Sequence, residues 1–295
     1  AMADGLVSLH SGLVHVDLVL KVDGDVDYET GNIDFKGTVV IQGGVKSGFK
    51  VKAVSDITVK TVVEDAELES EGSIELKGGF VGSGKGKMNA KENVTLSFAE
   101  NQNIYAGGDA RVSDALLHST VEADGKISVS GKKGIVGGTV TAGESIETQS
   151  AGSDAFTRTV LRIGLKRAVR EKMEQYKEDV QNNKANMIKI DSSIARFEKL
   201  RKIKKELQDS EKTQYAKILT LKKTLLKEKE TLESIKKEID EEYTKFESAS
   251  IRVKSKVYPG VVIDIGGAKM TINEAIVNVV FKRKGDSISI LRQKK

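Results

Sequence analysis

A ladder of short apolar pairs runs through the first half of the chain and limits what it can fold into. Each pair encloses one polar residue, and successive pairs begin 16 to 24 residues apart. This period-two alternation is typical of a β-strand with one buried face. The pairs are Ile33/Phe35, Ile57/Val59, Ile74/Leu76, Val94/Leu96, Ala110/Val112, Ile127/Val129 and Ile146/Thr148. A repeat this short has no room for a helix, so each pair predicts one coil of a β-solenoid.

The residues that precede each pair repeat as well. A small residue stands four positions before the first member of a pair, and an apolar residue stands six positions before it. The first pair departs from this rule, because Glu29 and Asp27 occupy those places. The combined pattern predicts a mostly β protein with some α structure, built on a parallel β-helix of about seven coils. At about 4.8 Å per coil, the stack would rise about 30 Å.

The composition fits a thin, repetitive core. Hydrophobic residues make up 38% of the chain, but aromatic residues only 5%, and there is no Trp. The absence of Cys excludes disulfides and thiolate metal sites and is compatible with a reducing compartment. The net charge of +5, from 48 basic and 43 acidic residues, does not by itself indicate nucleic-acid binding. No apolar stretch is long enough to span a bilayer, so we expect a cytoplasmic protein.

The distribution of glycine divides the chain. Glycine is frequent up to residue 164, absent from 165 to 259, and present again from 260 onward. In the glycine-free stretch the apolar residues recur in steps of three, four and seven, which predicts one long amphipathic helix on each side of a turn near Gln208–Glu211. The first apolar seam is Val169, Met173, Tyr176, Val180, Asn183, Met187, Ile190, Ile194 and Phe197. The second is Ile218, Leu225, Leu232, Ile239 and Phe246, with Leu221 and Ile235 three positions after Ile218 and Leu232.

These two helices of about 40 residues predict an antiparallel coiled-coil hairpin. The polar Asn183 is expected to fix its register at some cost in stability. A parallel dimer of one continuous helix is the alternative, but the near-equal helix lengths and the strand-like flanks favour the hairpin. The flanks, TRTVLRIG and IRVKSKVYPGVVIDIGG, predict a small β cap at the end of the solenoid. The expected division is a solenoid at 1–156, a cap at 157–164 and 251–295, and a hairpin at 165–250.

A glycine-rich stretch, GGFVGSGKGK at residues 78–87, resembles a phosphate-binding P-loop. Gly79, Gly84 and Lys85 match the motif, but Gly86 replaces its Ser or Thr. A working P-loop also needs a helix directly after it, whereas the residues that follow continue the ladder. We interpret the stretch as a turn between coils and expect no cofactor.

Other candidate ligand residues are isolated. Asp23, Asp25 and Asp27 alternate as at the start of a calcium loop, but Tyr28 stands where that loop requires Gly. We interpret them as a turn into the first coil. None of the histidines has a Cys or His partner at ligand spacing; they are His10, His15 and His118. We therefore expect no catalytic residue and no metal site.

The predicted tip of the hairpin is strongly basic. The simplest interpretation is a solvated, charged helix end. A basic tip on a long arm would also suit an acidic protein partner, anionic lipid or nucleic acid. The lack of aromatic residues between the basic ones disfavours single-stranded nucleic acid. The candidate partner-binding residues are Lys199, Arg201, Lys202, Lys204, Lys205 and Lys212.

Together these features resemble the flagellar assembly protein A family. The matching stretches are GDVDYETGNIDFKGTVVIQGGV, the alternating Ala and Ile coils, KGIVGGTVTAGESIETQSAG, TVLRIG before the helices and VYPGVVIDIG after them. The resemblance covers the chain from about Val16 onward and corresponds to the C-terminal region, since family members usually carry a further N-terminal domain. It implies a non-enzymatic cytoplasmic protein that helps to assemble or place the flagellum, with protein partners in the flagellar or cell-pole machinery.

The sequence therefore favours a scaffold or adaptor. The alternative is a self-assembling cytoskeletal filament, because bactofilins are similar in the coil region, although they lack the hairpin. A homo-oligomer is compatible with both interpretations. An enzyme of the lyase or acyltransferase type would need clustered carboxylates, Arg or His at corresponding coil positions, and the sequence has no such cluster.

Overall fold

The computed structural model describes residues 6–10, 13–204 and 208–292, with side chains from residue 18 onward. Two helices, α1 (Arg167–Ile203) and α2 (Asp209–Thr244), separate the strands into two groups, and a short 3-10 helix, Lys245–Glu247, follows α2. The strands before α1 are β1 Leu6–His10, β2 Leu13–Asp17, β3 Val19–Val22, β4 Ile33–Phe35, β5 Thr38–Ile41, β6 Lys50–Ala53, β7 Ile57–Val59, β8 Val63–Glu64, β9 Glu67–Ser70, β10 Ile74–Leu76, β11 Phe80–Val81, β12 Lys87–Ala90, β13 Val94–Glu100, β14 Asn103–Ala106, β15 Ala110–Ala123, β16 Lys126–Val129, β17 Gly134–Ala142, β18 Ser145–Ala151 and β19 Thr159–Ile163. The strands after α2 are β20 Ser250–Val257, β21 Val262–Ile265, β22 Ala268–Thr271, β23 Ile276–Lys284 and β24 Ser287–Arg292.

Strands β3 to β21 form a three-sided parallel β-helix whose core includes, on each side, a column of stacked apolar side chains. Burial of each aliphatic side chain contributes about 1.5–3 kcal/mol. The first column is Leu20, Val39, Ile57, Ile74, Val94, Ala110, Ile127, Ile146 and Ile251. The second is Ile33, Val51, Leu68, Met88, Ile104, Val121, Val140, Leu161 and Ile263. The third is Val26, Val45, Val63, Phe80, Ala99, Leu116, Ile135, Ala151 and Val257. Nine members per column correspond to about eight turns, which confirms the predicted solenoid.

The structure corrects the register of the first predicted pair. Ile33 pairs with Val51 and therefore belongs to the second column. The residue that pairs with Ile57 is Val39. The placement of Ile33 in the first column was wrong because both columns alternate with the same period of two. With Val39 as the first member, the apolar Ile33 stands six positions before it, as the repeat requires. The large Phe35 occupies the place of the small residue four positions before it.

One corner of the solenoid is stabilised by side chains that bridge adjacent coils. Asp56 accepts a hydrogen bond from the backbone N–H of Ser73 at 2.7 Å, and Asn93 accepts one from Asp109 at 2.9 Å. Asp109 in turn accepts one from the N–H of Lys126 at 2.9 Å. Asp and Asn suit these turns because their short side chains reach neighbouring backbone donors. The bridges satisfy N–H groups that the strand ladders leave open at the corner.

The helical hairpin is inserted at a single corner of the solenoid. In the preceding coil, only residues 143 and 144 separate β17 from β18, whereas residues 164–249 separate the corresponding β19 and β20. Strand β20 nevertheless pairs in parallel with β18, with Ile251 beside Ile146. Strand β19 pairs in parallel with β17 in the same way. Both flanks of the hairpin therefore continue the solenoid, which differs from the separate cap expected for residues 157–164 and for the first part of 251–295.

Three antiparallel strands cover the last coil. Strand β22 pairs with β21, β23 pairs with β20, and β24 pairs with β23. The side chains of Val279, Phe281 and Ile288 in these strands are buried. The C-terminal β cap thus consists of β22 to β24. Its antiparallel strands occupy the edge that would otherwise be open for a further parallel coil.

The two helices, of 37 and 36 residues, pack antiparallel. The Asn183 side-chain amide donates to the carbonyl oxygen of Leu225 at 3.0 Å, and Lys222 forms an ion pair with Asp191 at 2.8 Å. The α1 residue of the second contact has a higher number than that of the first, whereas its α2 residue has a lower number, as an antiparallel pair requires. Asn183 is the buried residue among those described in α1, so the predicted polar position does lie within the helix contact.

The chain divides into two compact units, one of residues up to Lys166 together with Lys245 onward, and the other of Arg167–Thr244. This division assigns Phe246 differently from the sequence pattern, which placed it in the second helical seam. Helix α2 ends at Thr244, and Phe246 is only 3% exposed within the core of the β unit. That prediction was wrong because the spacing of seven continues by coincidence past the end of the helix.

Candidate functional site

The glycine-rich stretch at residues 78–87 folds around a carboxylate of the chain itself. Asp65 accepts hydrogen bonds from the backbone N–H groups of Ser83 at 2.8 Å, Lys85 at 3.1 Å and Gly86 at 3.1 Å. It also accepts one from the Ser83 hydroxyl at 2.7 Å and one from the Gln102 amide at 3.0 Å. Convergent N–H groups of this kind form a nest that suits an anion. Here the anion is Asp65.

The hydrogen bonds also explain the composition of the loop. A Cβ on Gly82 would lie 2.2 Å from Asp65 Oδ1, so the backbone can approach the carboxylate only where there is no side chain. The Gln102 hydrogen bond, with those from Ser83 and Gly86, holds the pKa of Asp65 well below its ordinary value despite the opposing effect of desolvation. The loop then leads into strand β12 rather than a helix. It is a turn between coils, as the sequence predicts.

The acidic residues near the start of the solenoid have turn-forming partners. Asp25 accepts a hydrogen bond from the backbone N–H of Gly44 at 2.7 Å, which lowers the pKa of Asp25, and it lies 3.4 Å from the Lys46 ammonium. Asp27 accepts a hydrogen bond from the N–H of Glu29 at 2.9 Å. Among the described residues no three His, Cys, Asp or Glu side chains form a cluster that could hold a metal ion.

His118 occupies a corner position at which the backbone adopts a left-handed conformation. It has a φ of 49° and follows Leu117, which pairs in register with Glu100 and Val136 in the adjacent coils. The residues at the equivalent corner positions, Asn101 and Gly137, have φ of 54° and 73°. Gly, Asn and His are the residues that most readily adopt this left-handed conformation. The side chains of His10 and His15 lie outside the described part of the chain.

The structure places those of the predicted basic residues that it describes at the end of the hairpin, on both sides of its turn. Lys204 forms an ion pair with Glu211 at 3.1 Å, and Lys212 forms one with Asp209 at 3.3 Å. The backbone N–H of Gln208 and then the Lys204 ammonium lower the pKa of Glu211. The Lys204–Glu211 pair joins the two sides of the turn, whereas the Lys212–Asp209 pair is a solvent-exposed pair within the first turn of α2.

The remaining basic residues of the tip are exposed. Lys199, Arg201 and Lys202 form no ion pair with the residues that the structure describes. Lys205 lies outside the described residues. Ile203, between Lys202 and Lys204, is 81% exposed, a feature that the charge pattern did not predict. The candidate tip is therefore centred on Lys199, Arg201 and Lys202.

The sequence pattern also missed a second surface of the hairpin. Ile188 and Leu226 stand one position away from the predicted seams, and they are 59% and 44% exposed. Both line the same groove between α1 and α2. An exposed pair of large apolar side chains at a groove is a feature of binding surfaces. Its sequence signal was an extra apolar residue directly beside a seam residue.

Among the described residues, no helix has an apolar stretch that could cross a bilayer. A comparison with protein-family models matches residues 18–288 to the Flagellar Assembly Protein A beta solenoid domain. No curated protein and no solved structure gave a match. The matched range includes the three core columns, the inserted hairpin and most of the cap. It confirms the resemblance found in the sequence.

Proposed function

Because the chain belongs to the flagellar assembly protein A β-solenoid family, we propose that it is a non-enzymatic scaffold or adaptor for flagellar assembly or placement. The family links the chain to flagellar assembly and is not a known enzyme family. The proposed partners are cytoplasmic proteins of the flagellar or cell-pole machinery, bound through protein–protein contacts. The basic tip of the hairpin is the first candidate contact.

The observation that carries this proposal is the insertion of the hairpin at one corner. Two residues, 143 and 144, make the same connection in the preceding coil, and the register of β20 on β18 is kept in spite of the insertion. The geometry of the coil therefore has no need of residues 164–249. Long connections that the scaffold does not require are commonly functional. The solenoid supplies a rigid support, and the hairpin supplies a surface for binding.

The filament alternative has less support. End-to-end growth of a parallel solenoid needs an open strand edge at both ends. The last coil is instead covered by β22 and β23, which run antiparallel to it. A capped end suits a discrete adaptor better than a repeating filament unit.

Removal of the hairpin tests the proposed function. In the variant, Lys166 is joined to Lys245 through Gly-Ser-Gly-Ser. Packed helices lie about 8–10 Å apart, and four residues reach about 13 Å, so this linker can close the gap. The variant keeps Phe246 in the core. We expect its β circular dichroism and cooperative melt to be retained, while it fails to restore flagella in a strain that depends on the protein. Full restoration would contradict the adaptor proposal.

A charge-reversal pair then separates the tip from the rest of the hairpin. We expect flagellation to be lost with the triple variant Lys199→Glu, Arg201→Glu, Lys202→Glu. The matched control is the triple variant Lys223→Glu, Lys227→Glu, Lys237→Glu, which reverses three exposed lysines on α2, away from the tip. If both triple variants behave alike, the tip is not a specific contact.

A further inference from the structure

An apolar groove of about 660 Å³ runs along one side of the hairpin. Half-buried Tyr176, Val180 and Met187 of α1 line it. Ile188 and Leu226 also line it and leave 59% and 44% of their surface exposed. These five side chains present a continuous apolar strip that the two helices do not cover. We call this strip and its borders the hairpin groove.

The dimensions of the hairpin groove match a third helix. It extends from Tyr176 to Asp191 on α1 and from Lys222 to Lys236 on α2. At 1.5 Å per residue, 15 residues of helix span about 22 Å, or about four turns. The lining residues of α1 recur in steps of three and four, which is the spacing at which one helix receives another. A straight apolar strip of this length between two helices accommodates one more amphipathic helix.

The borders of the hairpin groove carry more lysine than carboxylate. Lys222 is neutralised by Asp191 at 2.8 Å, and the side chain of Lys229 lies 4.0 Å from that of Glu233. Two further lysines remain. Neither forms an ion pair with any residue in the described part of the chain; they are Lys184 and Lys236. The border therefore has a net positive charge that complements an acidic partner.

We propose that the hairpin groove binds an acidic amphipathic helix of about four turns. The apolar stripe of that helix contacts Ile188 and Leu226, and carboxylates beside the stripe pair with Lys184 and Lys236. This inference rests on the proposed adaptor function and states the chemistry of the partner. A second copy of the chain fits less well, because two identical grooves would bring their lysine-rich borders together.

The test uses the full chain and two synthetic peptides of about 15 residues. Both carry the same leucine stripe at helical spacing; one has Glu at the flanking positions and the other has Lys. Fluorescence anisotropy of the labelled peptides gives the affinities. We expect the acidic peptide to bind at least about tenfold more tightly than the basic one, and added NaCl to reduce the difference.

Two sets of variants locate the binding. Ile188→Ser with Leu226→Ser should abolish binding of the acidic peptide, whereas Leu221→Ser should not, because Leu221 is 55% exposed but lies outside the groove. Lys184→Glu with Lys236→Glu should lower the affinity for the acidic peptide about fivefold or more and raise the affinity for the basic peptide. The charge control is Lys223→Glu with Lys237→Glu. Helical circular dichroism confirms that each variant is folded.

Several results would overturn the inference. These are equal affinity for the two peptides, an acidic peptide whose Kd is weaker than about 1 mM, and loss of binding in Leu221→Ser. Self-association of the wild-type chain that disappears in the Ile188/Leu226 variant would assign the groove to a second copy. If the peptides fail while the hairpin-less strain still lacks flagella, the groove assignment is wrong and the adaptor function stands. If that strain has normal flagella, the adaptor function itself fails.

Discussion

Replacement of Asp65 by Ala tests whether the glycine-rich loop depends on an internal carboxylate. The variant removes the acceptor of five hydrogen bonds, three of them from the backbone of residues 83–86. The Gly86 N–H and the Gln102 amide belong to buried residues, so water replaces the lost carboxylate at these two donors less completely than at the surface. Ser83 and Lys85 are exposed, and their N–H groups can bond to solvent.

The two buried donors set the size of the effect. An unsatisfied buried donor costs about 1–3 kcal/mol, so the loss of a partner at two donors should lower the free energy of unfolding of Asp65→Ala by about 2–6 kcal/mol. Asp56→Ala is the matched control, because Asp56 lies at another corner of the solenoid and accepts a hydrogen bond from one backbone donor, the N–H of Ser73. Asp56→Ala should lower the free energy of unfolding by about 1 kcal/mol. Urea unfolding followed by the β circular dichroism signal measures both.

The pH dependence gives a second signature. Because the pKa of Asp65 is lowered in the folded state, its carboxylate contributes stability that is present above the unfolded value of 3.8. That contribution is lost as the pH falls through the lower folded value. The stability difference between the wild type and Asp65→Asn should therefore be constant between about pH 5 and 7 and shrink below about pH 4.

An emptied nest also predicts a ligand effect. Inorganic phosphate should raise the melting temperature of Asp65→Ala but not of Asp56→Ala, since the same convergent N–H groups become free to bind an anion. The reasoning is refuted if Asp65→Ala costs no more than Asp56→Ala, or if the Asp65→Asn difference does not change down to about pH 3.

Three further substitutions test the core and the hairpin. Ile127→Asp places a charge in the first column, where Ile127 is 1% exposed. It should lower the free energy of unfolding by more than about 4 kcal/mol and remove the β melting transition, whereas the triple charge reversal at the hairpin tip should leave that transition unchanged. Phe246→Ala should lower the free energy of unfolding by about 3–5 kcal/mol, whereas Phe156→Ala, at an exposed position, should change it by less than about 0.5 kcal/mol. Asn183→Leu should raise the stability of the helices by about 1 kcal/mol and permit more than one oligomeric state in sedimentation. An unchanged melt for Ile127→Asp, equal effects of the two Phe substitutions, or a less stable Asn183→Leu hairpin would contradict these expectations.

The columns of the solenoid were predictable because stacked coils impose the same burial on every repeat. From Ile57 onward, the predicted pairs and the observed first column agree. The error at Ile33 arose because the second column has the same alternation and cannot be distinguished from the first by period. The continuation at Ile251 could not be seen as part of the ladder, because residues 164–249 interrupt the repeat.

Features that depend on three-dimensional contacts were not predictable. The local motif in the glycine-rich stretch excluded a P-loop, but it did not indicate that Asp65, more than a dozen residues earlier, lies within the loop. The spacing of Phe246 fitted a helix that in fact ends before it. The exposure of Ile188 and Leu226 depends on how the two helices pack. In each case the pattern identified the residue type, and the packing decided its role.

The central claim is that a solenoid with a capped end acts as a discrete adaptor. Sedimentation velocity of the full chain over a wide concentration range, with negative-stain microscopy of the same samples, tests it most directly. We predict a discrete monomer or dimer whose sedimentation coefficient stays constant across the range, because β22 to β24 cover the last coil. Open-ended growth into fibres at higher concentration would contradict the claim and make the ends of the solenoid the functional site.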